Sequence, residues 1–469
     1  MSRPKLRMGK RSTARLRQRL AAALALSTAF HVHAVPDAPP PPQAEALLIT
    51  GATLHTVSGD VIVNGSMRLE KGRIVAIGGP ETATEPRDAR VVSLRGKHVY
   101  PGFISANSVL GLSEVGAVHA TDDTVEVGPI NPNARALVAL NPDSEIIPVT
   151  RANGVLAELA VPQAGPGGLI TGTSALVQLD GWTWEDMSLS PVVALHVELP
   201  PMRFNPALFP PPLDARLDEL RKASARRLRL LETAFEDAAA YRLAKANGET
   251  RRTDARWEAM LPVFDKTSPV FIDADDIAQI RYALGLAERF GLRLVIVGGS
   301  DAWRLASVLR DRQVPVVITG VHQLPGRRDD AYDTAFRLAA RLSQAGVRFC
   351  IARGANGFDT PHDRNLPYEA GTAVAHGLDP VEALRAITLY PAQILGVADR
   401  LGSLEPGKLA SFVVTDGDPL DIRTHVERVF IQGREIDLAN RQTRLNDKYR
   451  ERLRQQAAAA SAPAASAAR

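Results

Sequence analysis

Val99-Tyr-Pro-Gly-Phe-Ile-Ser-Ala-Asn-Ser-Val-Leu-Gly111 divides this chain of 469 residues into two kinds of text. Before it come a leader and short strands with turn punctuation. After it, apolar strands alternate with helical patterns. The stretch is apolar from 99 to 104 apart from the Pro101-Gly102 step, then polar at Ser105, Asn107 and Ser108. A buried opening strand followed by repeated strand and helix text predicts a sheet covered by helices.

Outward toward the C-terminus, eight strand candidates follow from this reading: 99–105, 154–161, 174–180, 192–198, 270–275, 292–298, 316–320 and 347–353. Most are continuous apolar runs, as expected of strands buried on both faces. Helical patterns at 276–290, 302–311 and 332–345 separate the later ones. Eight strands with intervening helices is the count of a (β/α)8 TIM-like barrel, placed over 99–401. An open doubly wound sheet is the alternative, because counting does not show closure. The alternation is interrupted at 200–246 by a Pro-rich loop and a long helix carrying Leu213, Leu217, Leu220, Leu228, Leu231 and Phe235 on one face. Its basic run (Arg221, Lys222, Arg226, Arg227, Arg229) reads as a solvated face.

Outward toward the N-terminus, 46–50, 53–57, 67–70 and 73–77 are short strands, the last two joined by the Lys71-Gly72 turn. A matching set lies near the other end, at 411–415 and 426–433. Together 45–98 and 402–437 predict a small composite β-sandwich flanking the barrel. Residues 35–44 read as a Pro-rich linker, and 438–469 as a charged helix with a low-complexity tail.

Residues 1–34 read as a signal peptide. Eight Lys and Arg precede an apolar run from Leu20 to Phe30, and Val32-His-Ala34 resembles a cleavage site. A mitochondrial transit peptide is the rival reading. Export to the bacterial periplasm or outside the cell is the expectation. The leader holds 8 of the 56 Lys and Arg and none of the 52 Asp and Glu, so the remaining chain carries 48 basic against 52 acidic residues. No basic patch argues for nucleic acid, and after leader removal nothing argues for a membrane. Cys350 is the single cysteine; within Val347-Arg-Phe-Cys-Ile351 it reads as a buried, inert thiol.

The opening strand is similar to that of amidohydrolases of the imidazolonepropionase-like group, which reads Pro-Gly-(apolar)-Ile-Asp-x-His-x-His. Pro101, Gly102, Phe103 and Ile104 match it. Asn365-Leu-Pro-Tyr-Glu-Ala-Gly-Thr-Ala-Val-Ala-His-Gly-Leu-Asp-Pro380 and Pro391-Ala-Gln-Ile-Leu-Gly-Val-Ala-Asp-Arg-Leu-Gly402 resemble the family's text after the eighth strand. The likeness spans residues 45–437. It implies the barrel with its flanking β unit, and hydrolysis of carbon–nitrogen bonds other than peptide bonds.

The resemblance also implies where metal ligands stand: two His on strand one, one His each on strands five and six, and an Asp on strand eight. Those positions carry Asn107, Val109, Asp273, Gly298 and Gly354, and no Lys lies in or near strand four. One carboxylate does not hold Zn²⁺. The expectation is therefore no cofactor, neither zinc nor another divalent ion, and loss of the family's metal-dependent activity. Three alternatives stay open. His196, Asp273 and His322 would make a three-ligand metal site. Asp273 and His322 would act as a metal-free acid/base pair with Arg353 as an anion anchor, from a rim that also holds Asp180, Glu198 and Asp275. A non-catalytic binding or scaffolding barrel would take a small molecule, as a homo-oligomer or beside an active relative. His376 reads as a packing residue. Gly-x-Ser-x-Gly, Gly-Lys-(Ser/Thr) and His-Glu-x-x-His motifs are absent.

Overall fold

His98–Pro101 and Phe103–Ser108, the two halves of the opening stretch, enter different sheets, and Gly102 is the step between them. The computed structural model describes residues 38–82, 89–204, 213–249 and 252–461. The leader, residues 205–212 of the Pro-rich loop at 200–213 and the last part of the tail, 462–469, lie outside the described residues. The described residues from 39 onward form one unit.

The first half joins the two ends of the chain. His98–Pro101 runs parallel to Ala46–His55 on one side and antiparallel to Phe412–Thr415 on the other, with Tyr100 opposite Val413. The hydrogen bonds of the β unit built from both ends continue through one eight-stranded mixed sheet. Alternation places Leu47, Ile49, Met67, Leu69, Phe412 and Phe430 in its own apolar core. The Phe412 and Phe430 rings stack with centroids 4.6 Å apart. Part of the supposed linker is anchored here: Gln43 donates to the Leu69 carbonyl, and the Pro40 carbonyl accepts from Arg434.

The second half begins the barrel. Phe103–Ser108 lies parallel to Val155–Ala160, while Leu195–Glu198, Val270–Ala274, Leu294–Gly298, Val316–Ile318 and Phe349–Ile351 form a parallel run. All eight predicted strand stretches are present, but not all are parallel. The third, Ile170–Thr173 continuing as Ala175–Gln178, runs antiparallel to both neighbours. The reason is its connections: residues 161–169 are too few for a crossover, which takes about a dozen or more. Nor is the ladder closed. The strands fall into a four-stranded and a six-stranded sheet, and no hydrogen-bond ladder joins the first strand to the eighth. At that seam the Asn107 side chain donates to the Arg353 carbonyl, 2.9 Å away.

Helices cover the barrel as predicted. Leu213–Ala246 buries Leu217, Leu231 and Phe235, while Arg221, Lys222 and Arg226 face solvent. Cys350 is fully buried, which raises its thiol pKa and leaves it inert. His376 stacks on Phe336 at 4.9 Å, a packing role. Within Leu366–Ala375, Gly371 packs directly on the backbone of Leu420: a Cβ there would fall inside the contact radius of the Leu420 carbonyl oxygen. Alanine would gain about 1 kcal/mol of helix propensity, yet the displaced backbone would cost about 1–3 kcal/mol. G371A is therefore expected to lower stability in urea denaturation, with the midpoint moving and the slope unchanged.

Candidate functional site at the barrel mouth

The register of the parallel run assembles the mouth. Glu198 pairs with Asp273, and Asp273 with Val297, so their side chains rise at one level. His196 sits one layer below Glu198 on the same face, its ring 5.3 Å from that of Phe271. These groups line a cavity of about 200 Å³ with Asn107, Thr171, Thr319 and Gly354. It lies where barrel strands present their C-terminal ends, the catalytic face of this architecture.

The electrostatics of the cavity are unusual. His196 is only 8% exposed, and its Nε2 has no hydrogen-bond partner. Burial lowers its pKa to about 3, so the ring is neutral at any physiological pH. Asp273 meets cavity water, yet protein walls, then the charges of Asp275 and Glu198, raise its carboxyl to about 8. Below that pH it carries a proton and can donate a hydrogen bond. Burial also raises Glu198, opposed by the guanidinium of Arg227, which reaches the rim from the long helix and bonds the Gly168 carbonyl at 2.9 Å.

His322 and Arg353 meet each other, but not Asp273. Both converge on Glu369, which is fully buried. Its Oε1 accepts from Arg353 Nη1 and lies 3.1 Å from His322 Nδ1; its Oε2 accepts the backbone N–H of Val321 at 2.9 Å. His322 Nε2 is taken by Thr372 at 2.7 Å, and Arg353 Nη2 turns to Asp359. Neither lines the mouth cavity. Asp180 is elsewhere too. Because the third strand runs antiparallel, its C-terminal end points away from the mouth, and Asp180 pairs with Arg151 (3.3 Å) and Arg434 (2.9 Å) beside the β unit.

Sequence reasoning missed Glu369, Asp359, Glu158 and Asp363. One signal was readable: Glu158 is a lone charge in the apolar strand Val155-Leu-Ala-Glu-Leu-Ala160.

At the family's ligand positions, the side chains do not make a metal centre. Val109 is buried and apolar, and the Asn107 amide donates to the Arg353 backbone carbonyl. A Cβ on Gly298 would lie 2.6 Å from Asp275 Oδ1, and one on Gly354 would collide with Asp359 Oδ2, so neighbouring carboxylates fill those places. Among the described residues, no group of three or more His, Cys, Asp or Glu is placed to hold a metal ion, including His196, Asp273 and His322.

Comparison with known proteins places this geometry. Residues 331–439 match the profile of the Amidohydrolase family. An imidazolonepropionase of Symbiobacterium thermophilum is 25% identical over 413 residues, 78% of this chain and 90% of that protein. The N-acetylgalactosamine-6-phosphate deacetylase of Escherichia coli O157:H7 is 47% identical over 57 residues, 12% of this chain. The chain spans 14% of that deacetylase's length. The crystal structure of an amidohydrolase from Thermotoga maritima MSB8 superposes with a TM-score of 0.71 at 28% identity, covering 83% of this chain and 99% of that one.

These likenesses correct one expectation. The absence of His ligands argued for no cofactor, but the family and these relatives are metal-dependent hydrolases and point to metal use. The inference from missing ligands was too narrow, since it weighed only the positions where relatives carry His and Asp. The residues now at those positions do not fit that centre, and no chemical step is routed through it.

Proposed function

We propose, for a chain that belongs to the metal-dependent amidohydrolase superfamily and its imidazolonepropionase-like group, that the barrel mouth receives a small neutral molecule containing a non-peptide carbon–nitrogen bond. Protonated Asp273 donates to the carbonyl of that molecule, and Nε2 or its proton on neutral His196 answers the amide side. One observation carries this reading: a buried imidazole without a partner lines the same cavity as the Asp273 carboxyl, whose pKa is raised to about 8. A polar group so placed without a partner costs free energy that a polar ligand returns. The cavity of about 200 Å³ restricts that ligand to a small one. The relatives' names fit the same class, being an imidazolonepropionase and an N-acetyl sugar deacetylase.

A second reading follows from the ligand positions. Asn107, Val109, Gly298 and Gly354 favour a mouth that binds without the family's turnover, alone, as a homo-oligomer or beside an active relative. The acid/base pair of Asp273 with His322 has no such support, since both ring nitrogens of His322 are engaged elsewhere. The leader at 1–34 supports an exported protein.

Calorimetric titration with hydantoin, N-acetylglucosamine and glutarate tests the proposal. A neutral amide is expected to bind and glutarate is not. D273A is expected to weaken binding about 10- to 100-fold, the size of a strong hydrogen bond of about 1.5–3 kcal/mol. Equal affinity for D273A and the unsubstituted protein would defeat the proposal. Release of amine from a bound compound separates hydrolase from binder.

A further inference from the structure

Glu158 and Asp363 are both fully buried, and their four carboxylate oxygens have no hydrogen-bond partner beyond the Ser108 hydroxyl. Burial and then the charge of Asp363 raise the Glu158 carboxyl, burial raises that of Asp363, and the Ser108 hydroxyl stands beside both. The strand register explains the meeting. Ser105 is opposite Glu158 and Ser108 is opposite Ala160, so three steps on the first strand face two on the second. Residues 158 and 160 share a face, and this bulge therefore turns Ser105 and Ser108 to that same face. Asp363 comes from the 3₁₀ turn Thr360–Asn365. With three residues per turn, Thr360 stacks over Asp363.

Two more hydroxyls there are orphaned. Ser105 Oγ and Thr360 Oγ1 are buried without a partner. The nearest cation is Arg353, and its Nη atoms already serve Glu369 and Asp359. Two ionised carboxyls buried with no cation in ion-pair contact are costly, and the field of Arg353 reaches only Asp363. The elements that meet there carry four carboxylate oxygens and the hydroxyls of Ser105, Ser108 and Thr360, all hard donors, with Ser108 Oγ also accepting the Leu110 N–H.

We propose that Glu158 and Asp363, with Ser105, Ser108 and Thr360, hold one Ca²⁺ ion that clamps the barrel seam. Ca²⁺ takes about six to eight oxygen ligands, a number that two bidentate carboxylates and the neighbouring hydroxyls would supply. Its two charges balance the two carboxylates. The ion ties the first two barrel strands to the segment following the eighth, across the gap where no ladder runs. This site stands apart from the mouth: none of its five residues lines that cavity.

The full chain, stripped with EDTA and dialysed, is titrated with Ca²⁺ while its thermal midpoint is followed. Saturation is expected to raise the midpoint by about 5 °C, and Tb³⁺ luminescence is expected to report one site. E158Q and D363N should each lose the Ca²⁺-dependent shift, while D273N keeps it. The proposal is overturned if Ca²⁺ leaves the midpoint of the unsubstituted protein unchanged, whatever Mg²⁺ or Mn²⁺ does. It is equally overturned if the variants are more stable than the parent and the shift survives in them. If either variant fails to fold, the titration of the unsubstituted protein decides.

Discussion

E369A is expected to lose about 3–5 kcal/mol of stability, the cost of removing one partner from a buried ion pair. Glu369 holds Arg353, His322 and the Val321 N–H at once, from a position with no exposure to water. Without it, the Arg353 guanidinium keeps only Asp359 at 3.3 Å, and a buried N–H loses its acceptor. E369Q retains an oxygen for Val321 and gives up the charge, so its loss should be smaller. Denaturant titration of both variants checks the order. A loss under about 1 kcal/mol for E369A would place it among ordinary substitutions and contradict the arrangement.

D180A is the second large effect, again about 3–5 kcal/mol. Asp180 faces two guanidiniums, those of Arg151 and Arg434, with side-chain exposures of 2%, 8% and 12%. Burial pushes its carboxyl above the ordinary value, and the two cations bring it only part of the way back. The alanine variant removes the negative charge both cations face and leaves them in a low-dielectric seam between barrel and β unit. A second tie across that seam, Gln432 to Gln178 at 2.7 Å, is too small to compensate. D180N should fall between parent and D180A in thermal unfolding, because it keeps shape and one acceptor.

What could be read in the sequence was what periodicity and burial carry. Eight apolar runs mark the barrel strands, and Leu217, Leu231 and Phe235 mark the helix face. The two β ends met because each lacks a core alone. Strand direction was not readable: an apolar run looks the same upward or downward, and the short link at 161–169 emerges only because the third strand begins at Ile170 rather than at 174. That single reversal moved Asp180 from rim to seam. Nor could spacing show which acceptor each polar side chain takes. His322 and Arg353 were grouped with Asp273 by strand-end position, and Glu369, hidden within a helix, drew them elsewhere. Glu158 stood out in its strand, but its meeting with Asp363 depends on a bulge.

The central claim is that a proton on Asp273 does the recognising. The carboxyl sits at about 8 in the folded protein, so it is protonated at lower pH and loses its donor as pH rises through that value. The measurement is the affinity of the neutral amide that binds best, followed from below neutrality to above this pKa, for the parent and D273N. The parent should bind uniformly at low pH and then weaken about tenfold per pH unit beyond about 8, while D273N, whose amide donates without titrating, should stay flat. Parent affinity that holds level or rises through the same range would contradict the account.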